Sequence, residues 1–61
     1  MKAKINNNHL HVKKADAELL LEAIGKTCLW VNINVYIKDE EIIVKFKDKE
    51  KMNTCIEYIN A

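Results

Sequence analysis

The sequence contains no arginine, no proline and no serine, and Gly25 is its single glycine. Without arginine the chain lacks the planar group that reads guanine edges and clamps phosphates with two hydrogen bonds. Ten lysines and nine carboxylates leave a formal net charge of +1, so general attraction to nucleic acid or anionic lipid is weak. One glycine cannot build a glycine-rich phosphate loop. These absences argue against sequence-specific DNA binding and against a nucleotide-dependent enzyme.

Cysteine and long apolar runs are also scarce. Cys28 and Cys55 are too few for a disulfide framework, and we expect both to be free thiols. No run approaches the roughly 18 apolar residues that span a bilayer, and the first eight residues contain lysines and asparagines instead of a signal peptide's apolar segment. The expectation is a cytoplasmic protein without a membrane partner.

What is present is the composition of a folded domain, with 49% hydrophobic and 31% charged residues. We expect one small domain over residues 1–61, with a thin stability margin, because a chain this short buries only about 60% of its unfolded surface. The abundance of Lys, Asn and Ile, whose codons are rich in A and T, is typical of low-GC bacteria and their phages.

Residues 3–12 are predicted to form a hairpin around an Asn7-Asn8 turn, with Ile5 opposite Leu10. In this register all the apolar side chains share one face, and asparagine tolerates the positive φ of a type I′ turn. One continuous strand through the same residues is the alternative. It would place Ile5 and Leu10 on opposite faces.

The next segment, from Lys14 to about Ile24, has the apolar spacing of an amphipathic helix that Gly25 would end in a left-handed conformation. The helix stripe consists of Ala17, Leu20, Leu21 and Ile24. Residues 28–37 then alternate strictly between apolar and other side chains, which predicts a strand with Leu29, Val31, Ile33, Val35 and Ile37 on its apolar face.

A turn centred on Asp39-Glu40 is predicted to lead into a strand over residues 42–47, with Ile42, Val44 and Phe46 opposite Ile37, Val35 and Ile33. Asp48 would cap a last helix that runs to about Asn60 and buries Met52, Cys55, Ile56 and Ile59. The fold class is therefore α+β, in the order ββαββα, with a four-stranded, largely antiparallel sheet and both helices on one face.

The other face of the sheet would be open and would carry the candidate binding residues. Trp and Tyr supply the rigid contact area that dominates protein interfaces. We expect a partner-binding surface formed by Trp30, Asn32, Asn34, Tyr36, Ile43, Lys45 and Lys47, next to Lys4, His9 and His11 of the first hairpin.

Catalysis and metal binding have little support in the sequence. No cysteine or hydroxyl lies in a recognisable nucleophile motif, and we expect neither an enzyme nor a cofactor. His9 and His11 project from one face of a strand, and Cys28 could share that face, which makes these three residues the metal candidates. Their spacing matches none of the common zinc signatures, so no metal is expected.

The function expected from these features is non-catalytic protein binding by a small inhibitor, adaptor or regulator, with a phage or mobile-element origin as the specific hypothesis. Docking would use the open sheet face or an edge strand. Two alternatives stay open: single-stranded nucleic-acid binding through Trp30, Tyr36 and the lysines, and a homodimeric structural protein without a separate ligand.

Overall fold

The computed structural model describes residues 2–61 and has the predicted α+β order ββαββα. A short 3-10 turn, Lys14–Asp16, precedes the first helix. The strands are β1 (Ala3–Asn6), β2 (His9–Lys13), β3 (Ile33–Lys38) and β4 (Glu41–Phe46), and the helices are α1 (Ala17–Thr27) and α2 (Lys49–Asn60). All neighbouring strands are antiparallel, in the order β1-β2-β4-β3, which confirms the predicted fold class.

The hairpin of β1 and β2 has the predicted register, with Ile5 opposite Leu10. Asn7 and Asn8 both take positive φ, 53° and 65°, as a type I′ turn requires. The alternative of one continuous strand is therefore wrong. Because the turn is only two residues long, it fixes which side chains of β2 face the core.

Helix α1 does not end where the sequence indicated. Gly25 lies inside the helix without a positive φ, and α1 continues to Thr27. The N–H groups of Cys28 and Leu29 cap it by donating to the Ile24 carbonyl at 3.0 and 2.9 Å. The buried stripe also differs from the prediction, because Ala23 takes the place of Leu21, which is 52% exposed.

Residues 28–32 form turns, so the prediction of a strand that starts at residue 28 is wrong for this half. Leu29, Trp30 and Asn32 have φ values of 53°, 63° and 57°. Left-handed backbone costs a non-glycine residue roughly 1–2 kcal/mol. The alternation of side chains could not predict this turn, because the chain reverses direction after α1 to bring β3 into the sheet.

From Ile33 onward the predicted pairing holds. Val35 lies opposite Val44, and Tyr36 lies opposite Ile43. Strand β4 also pairs with β2, with Leu10 opposite Val44, so β2 and β4 form the centre of the sheet and β1 and β3 its edges.

Helix α2 begins as predicted, because the Asp48 carboxylate accepts a hydrogen bond from the Glu50 N–H at 2.9 Å. It buries Met52, Cys55 and Ile59, and the half-buried Ile56 packs against them. The core lies between the helices and one face of the sheet, and its buried members are Ala3, Leu10, Val12, Leu20, Ala23, Ile24, Cys28, Ile42, Val44, Met52, Cys55 and Ile59.

The helices pack over β1, β2 and β4, and β3 extends beyond them. On the helix side of β3, Val35 is 43% exposed and Ile37 is 62% exposed, although the sequence predicted that both would face the helices. Neither helix within residues 2–61 has the length and apolar character needed to cross a bilayer.

Candidate functional site

The face of the sheet opposite the helices is made of side chains that alternate with the core residues. In β2, Leu10 and Val12 point to the core, so His9 and His11 point to the other side. The strand register then aligns one row across all four strands on this face. The row consists of Lys4, His11, Ile43 and Tyr36.

A groove of about 410 Å³ follows this open face. Ile43 forms its apolar part and is only 5% exposed, although the helices lie on the other side of the sheet. Neighbouring side chains of the same face therefore cover Ile43, and the sequence did not predict this burial. The other residues that line the groove are Asn6, Asn7, His9, His11, Tyr36, Lys38, Asp39 and Glu41.

A polar network holds one side of the groove. His11 Nδ1 lies 3.2 Å from Glu41 Oε1, and Lys4 Nζ lies 3.8 Å from Glu41 Oε2. The hydrogen bond from His11 is the main cause that keeps the pKa of Glu41 below its usual 4.5, with a further contribution from the charge of Lys4. Glu41 is thus an ionised carboxylate at neutral pH and holds the side chains of His11 and Lys4.

His9 contributes an unusual polar atom to the groove. Its Nδ1 is buried, and it has no hydrogen-bond partner among residues 2–61. Buried polar atoms normally have a partner, and an unpaired one costs folding free energy. Because this nitrogen is closed to solvent, an incoming group cannot reach it where it lies.

Lysine dominates the open face despite the nearly neutral chain. A second depression of about 240 Å³ lies beside the groove and is lined by Lys2, Lys4, His11, Lys13 and Glu41. Lys38 and Lys45 lie on the same face from β3 and β4. The small net charge of +1 therefore conceals a local excess of positive charge on the open face.

The structure brings together four of the seven predicted binding residues. Tyr36 is 40% exposed beside the buried Ile43, and Lys45 Nζ lies 5.3 Å from the centre of the Tyr36 ring, within cation–π range. Asn34 lies opposite Lys45 and extends the same face.

Of these four only Tyr36 and Ile43 line the groove, and the other three predicted binding residues lie farther away. Trp30 belongs to the turn before β3 and is 48% exposed, so it does not share a strand face with Tyr36. The Asn32 carbonyl accepts a hydrogen bond from the Lys47 N–H at 3.3 Å, just beyond the end of the hairpin ladder. The sequence pattern placed Trp30, Asn32 and Lys47 on one pair of continuous strands. The turn at residues 28–32 separates Trp30 from that pair.

The metal candidates are also separated. His11 lies on the open face, whereas Cys28 is 3% exposed in the core and its Sγ lies 3.4 Å from the Ile24 carbonyl. The sequence assigned Cys28 to the outer face of a strand, and this is wrong because the residue lies in the turn after α1. Within residues 2–61 no three His, Cys, Asp or Glu side chains cluster as a metal site would require.

Cys55 lies in the core as predicted. Burial raises the pKa of its thiol to about 11, which keeps it protonated and unreactive at neutral pH.

Sequence reasoning missed Asp39 and Glu41 as parts of the site, and it named Lys38 only as a phosphate contact in the nucleic-acid alternative, because it ended one strand at Ile37 and began the next at Ile42. The hairpin includes one more pair, Lys38 opposite Glu41. Extending the predicted register by one residue on each side of Asp39-Glu40 would have placed Lys38 and Glu41 on the open face.

Comparison of the chain with protein families, with curated proteins and with solved structures finds no match.

Proposed function

We propose that this chain is a non-catalytic protein-binding module that docks an acidic segment of a partner protein on its open sheet face. The observation that carries the proposal is the groove itself, where a buried Ile43 and an exposed Tyr36 lie within a polar and charged rim. An apolar centre with a polar rim is the usual anatomy of a protein interface.

The charge of the face indicates the kind of partner. Lys4 and Lys13 lie beside the groove, and Lys38 lines it, while Glu41 is already engaged by His11 and Lys4. Lys13 and Lys38 form no salt bridge within residues 2–61, so carboxylates of a partner would find these two lysines free beside the apolar centre. Such complementarity raises association rates and selects against basic partners.

The ring of Tyr36 is the apolar surface that a docked side chain can reach, because Ile43 is already covered by its neighbours. An apolar side chain against Tyr36 and carboxylates at the lysines would together define the docked segment. A small inhibitor, adaptor or regulator, of phage or mobile-element origin, would act in this way by covering a partner's surface.

Single-stranded nucleic acid is a second candidate, favoured by the position of Tyr36 among lysines on one face. It is the weaker one because successive bases need several stacking platforms, and Trp30 does not lie on the strand face beside Tyr36.

Affinity capture from cell lysate, followed by binding measurements with the captured protein, tests the proposal. Two variants are expected to weaken binding by about tenfold or more each. One is Tyr36→Ala, and the other is the double variant Lys4→Glu with Lys13→Glu, whose effect should depend strongly on salt. Lys26→Glu on α1 combined with Lys49→Glu at the start of α2 makes the same charge change on the helices and is the matched control. It should bind as the wild type does.

Binding that is equal in wild type and in the Tyr36 and lysine variants would remove the open face as the docking site. Fluorescence anisotropy with a single-stranded oligonucleotide separates the two candidates. Tight, salt-sensitive oligonucleotide binding that is lost in the lysine variants would replace the protein proposal with the nucleic-acid one.

A further inference from the structure

Strand β3 is an edge strand with an exposed face and unpaired backbone groups. Its even-numbered residues face β4, because the Asn32 carbonyl accepts from Lys47 N–H and the ladder alternates from there. Ile33, Val35 and Ile37 therefore direct their N–H and C=O groups outward from the sheet. The same three residues carry the side chains on the helix side, where Val35 and Ile37 are exposed.

The two edge strands differ in whether their outward backbone groups have hydrogen-bond partners. At β1, the Asn60 carboxamide bonds both the N–H and the carbonyl of Ala3, at 2.9 and 3.0 Å. This closes the start of that edge to another strand. Strand β3 has no proline, and Ile33–Ile37 contains no charged residue, so it lacks the usual features that block edge pairing.

From the pattern of these residues we infer that β3 pairs antiparallel with β3 of a second copy of this chain, about a two-fold axis at Val35. The sequence Ile33-Asn34-Val35-Tyr36-Ile37 is symmetric in residue class about Val35, with β-branched apolar residues at both ends and polar side chains between. A two-fold interface requires this kind of self-complementarity.

In this register every outward-facing residue finds a partner. Val35 faces Val35 of the second copy, and Ile33 faces Ile37, as hydrogen-bonded pairs that use the free N–H and C=O groups. The six β-branched side chains form one apolar stripe on the helix side. On the open face Asn34 lies beside Tyr36, and Lys38 of one copy lies opposite Asn32 of the other.

Charge complementarity supports the antiparallel arrangement. The turn end of the β3–β4 hairpin is acidic, because Lys38 is followed there by Asp39, Glu40 and Glu41. The other end is basic, because Lys45, Lys47 and Lys49 lie there with the single carboxylate of Asp48. Antiparallel pairing brings the acidic end of each copy to within about 10–15 Å, or two to three strand spacings, of the basic end of the other.

The expected product is an eight-stranded sheet with both grooves on one face. Tyr36 and Lys38 of the pairing strand also line the groove, whereas Val35 lies on the opposite side of the sheet, so a change at Val35 tests self-pairing without altering the groove lining. Self-pairing would also cover the exposed apolar side of β3, which the helices of a single chain leave uncovered.

Sedimentation equilibrium over a concentration series tests the inference. Wild type is expected to pass from the 7.1 kDa of one chain to twice that mass as concentration rises. Val35→Lys places two lysines face to face across the axis and should weaken dimerisation by about tenfold or more. Ile5→Lys is the matched control, because Ile5 is 49% exposed on the helix side of the other edge strand. It should dimerise as the wild type does.

The register itself is tested by mixing Val35→Lys with Val35→Glu. Each variant alone should stay monomeric, and the mixture should form a heterodimer because residue 35 faces itself across the axis. A fold control by circular dichroism accompanies each variant. Wild type that stays monomeric throughout, equal dimerisation by Val35→Lys and wild type, or no pairing in the mixture would each overturn the inference.

Discussion

The side chain of Asn60, at the end of α2, hydrogen-bonds both backbone groups of Ala3, at the start of β1. Its Oδ1 accepts from the Ala3 N–H at 2.9 Å, and its Nδ2 donates to the Ala3 carbonyl at 3.0 Å. The carboxamide thus takes the place of a further strand at that edge, and it joins residues 57 positions apart in the chain.

Asn60→Ala is expected to lower the free energy of unfolding by about 1–2 kcal/mol, because two partly buried hydrogen bonds are lost. Urea denaturation followed by circular dichroism measures the change. Asn53→Ala, at an exposed position of the same helix, is the control and should be nearly neutral. Equal stability of the two variants would show that the Ala3 contact contributes nothing.

Gly25→Ala is expected to raise the free energy of unfolding by about 0.5–1 kcal/mol. Gly25 lies inside α1, and an added Cβ would meet no atom within 4 Å. Chemical denaturation decides the sign. A loss of stability would instead fit a left-handed Gly25 that ends the helix.

Leu29→Gly is expected to stabilise the protein by about 1 kcal/mol, because glycine adopts left-handed backbone without the penalty that leucine has at φ 53°. Little packing is lost, since Leu29 is 73% exposed. Leu21→Gly is the matched control at an exposed position with helical backbone, and it should destabilise by about 1 kcal/mol. Thermal unfolding of the two variants should shift in opposite directions.

The pKa of Glu41 is expected to rise when His11 is replaced by phenylalanine, because the hydrogen bond from His11 is the main cause that lowers it. Because the pKa of Glu41 is lower in the folded state, the ionised carboxylate stabilises the fold at pH values above 4.5, which is its pKa in the unfolded chain. This contribution disappears as the pH falls through the folded pKa. Carboxyl NMR titration of wild type and His11→Phe measures the shift. An unchanged titration would show that His11 does not control this carboxylate.

Much of the fold could be predicted from local patterns. The Asn7-Asn8 turn fixed the first register, and the pairing of Val35 with Val44 followed from matching apolar faces across a short turn. The side chains of Tyr36, Ile43 and Lys45 were placed on one face for the same reason, since alternation along a paired strand leaves no other choice.

Other features could not be predicted because they depend on how the elements pack. Gly25 stays helical, since α1 must extend to Thr27 before the chain turns, and that turn forces Leu29 and Trp30 into left-handed backbone. Trp30 therefore leaves the face that its position in the alternating sequence suggested.

The amino-acid sequence by itself determined the register within each hairpin, the cap at Asp48 and the apolar face of each hairpin, because these depend on neighbours a few residues apart. Only the tertiary structure decided that β2 and β4 form the centre of the sheet, that Ile43 is buried on a face without helices and that β3 stays uncovered. Each of these depends on which distant segments meet, and that is set by how two short helices fit over four strands.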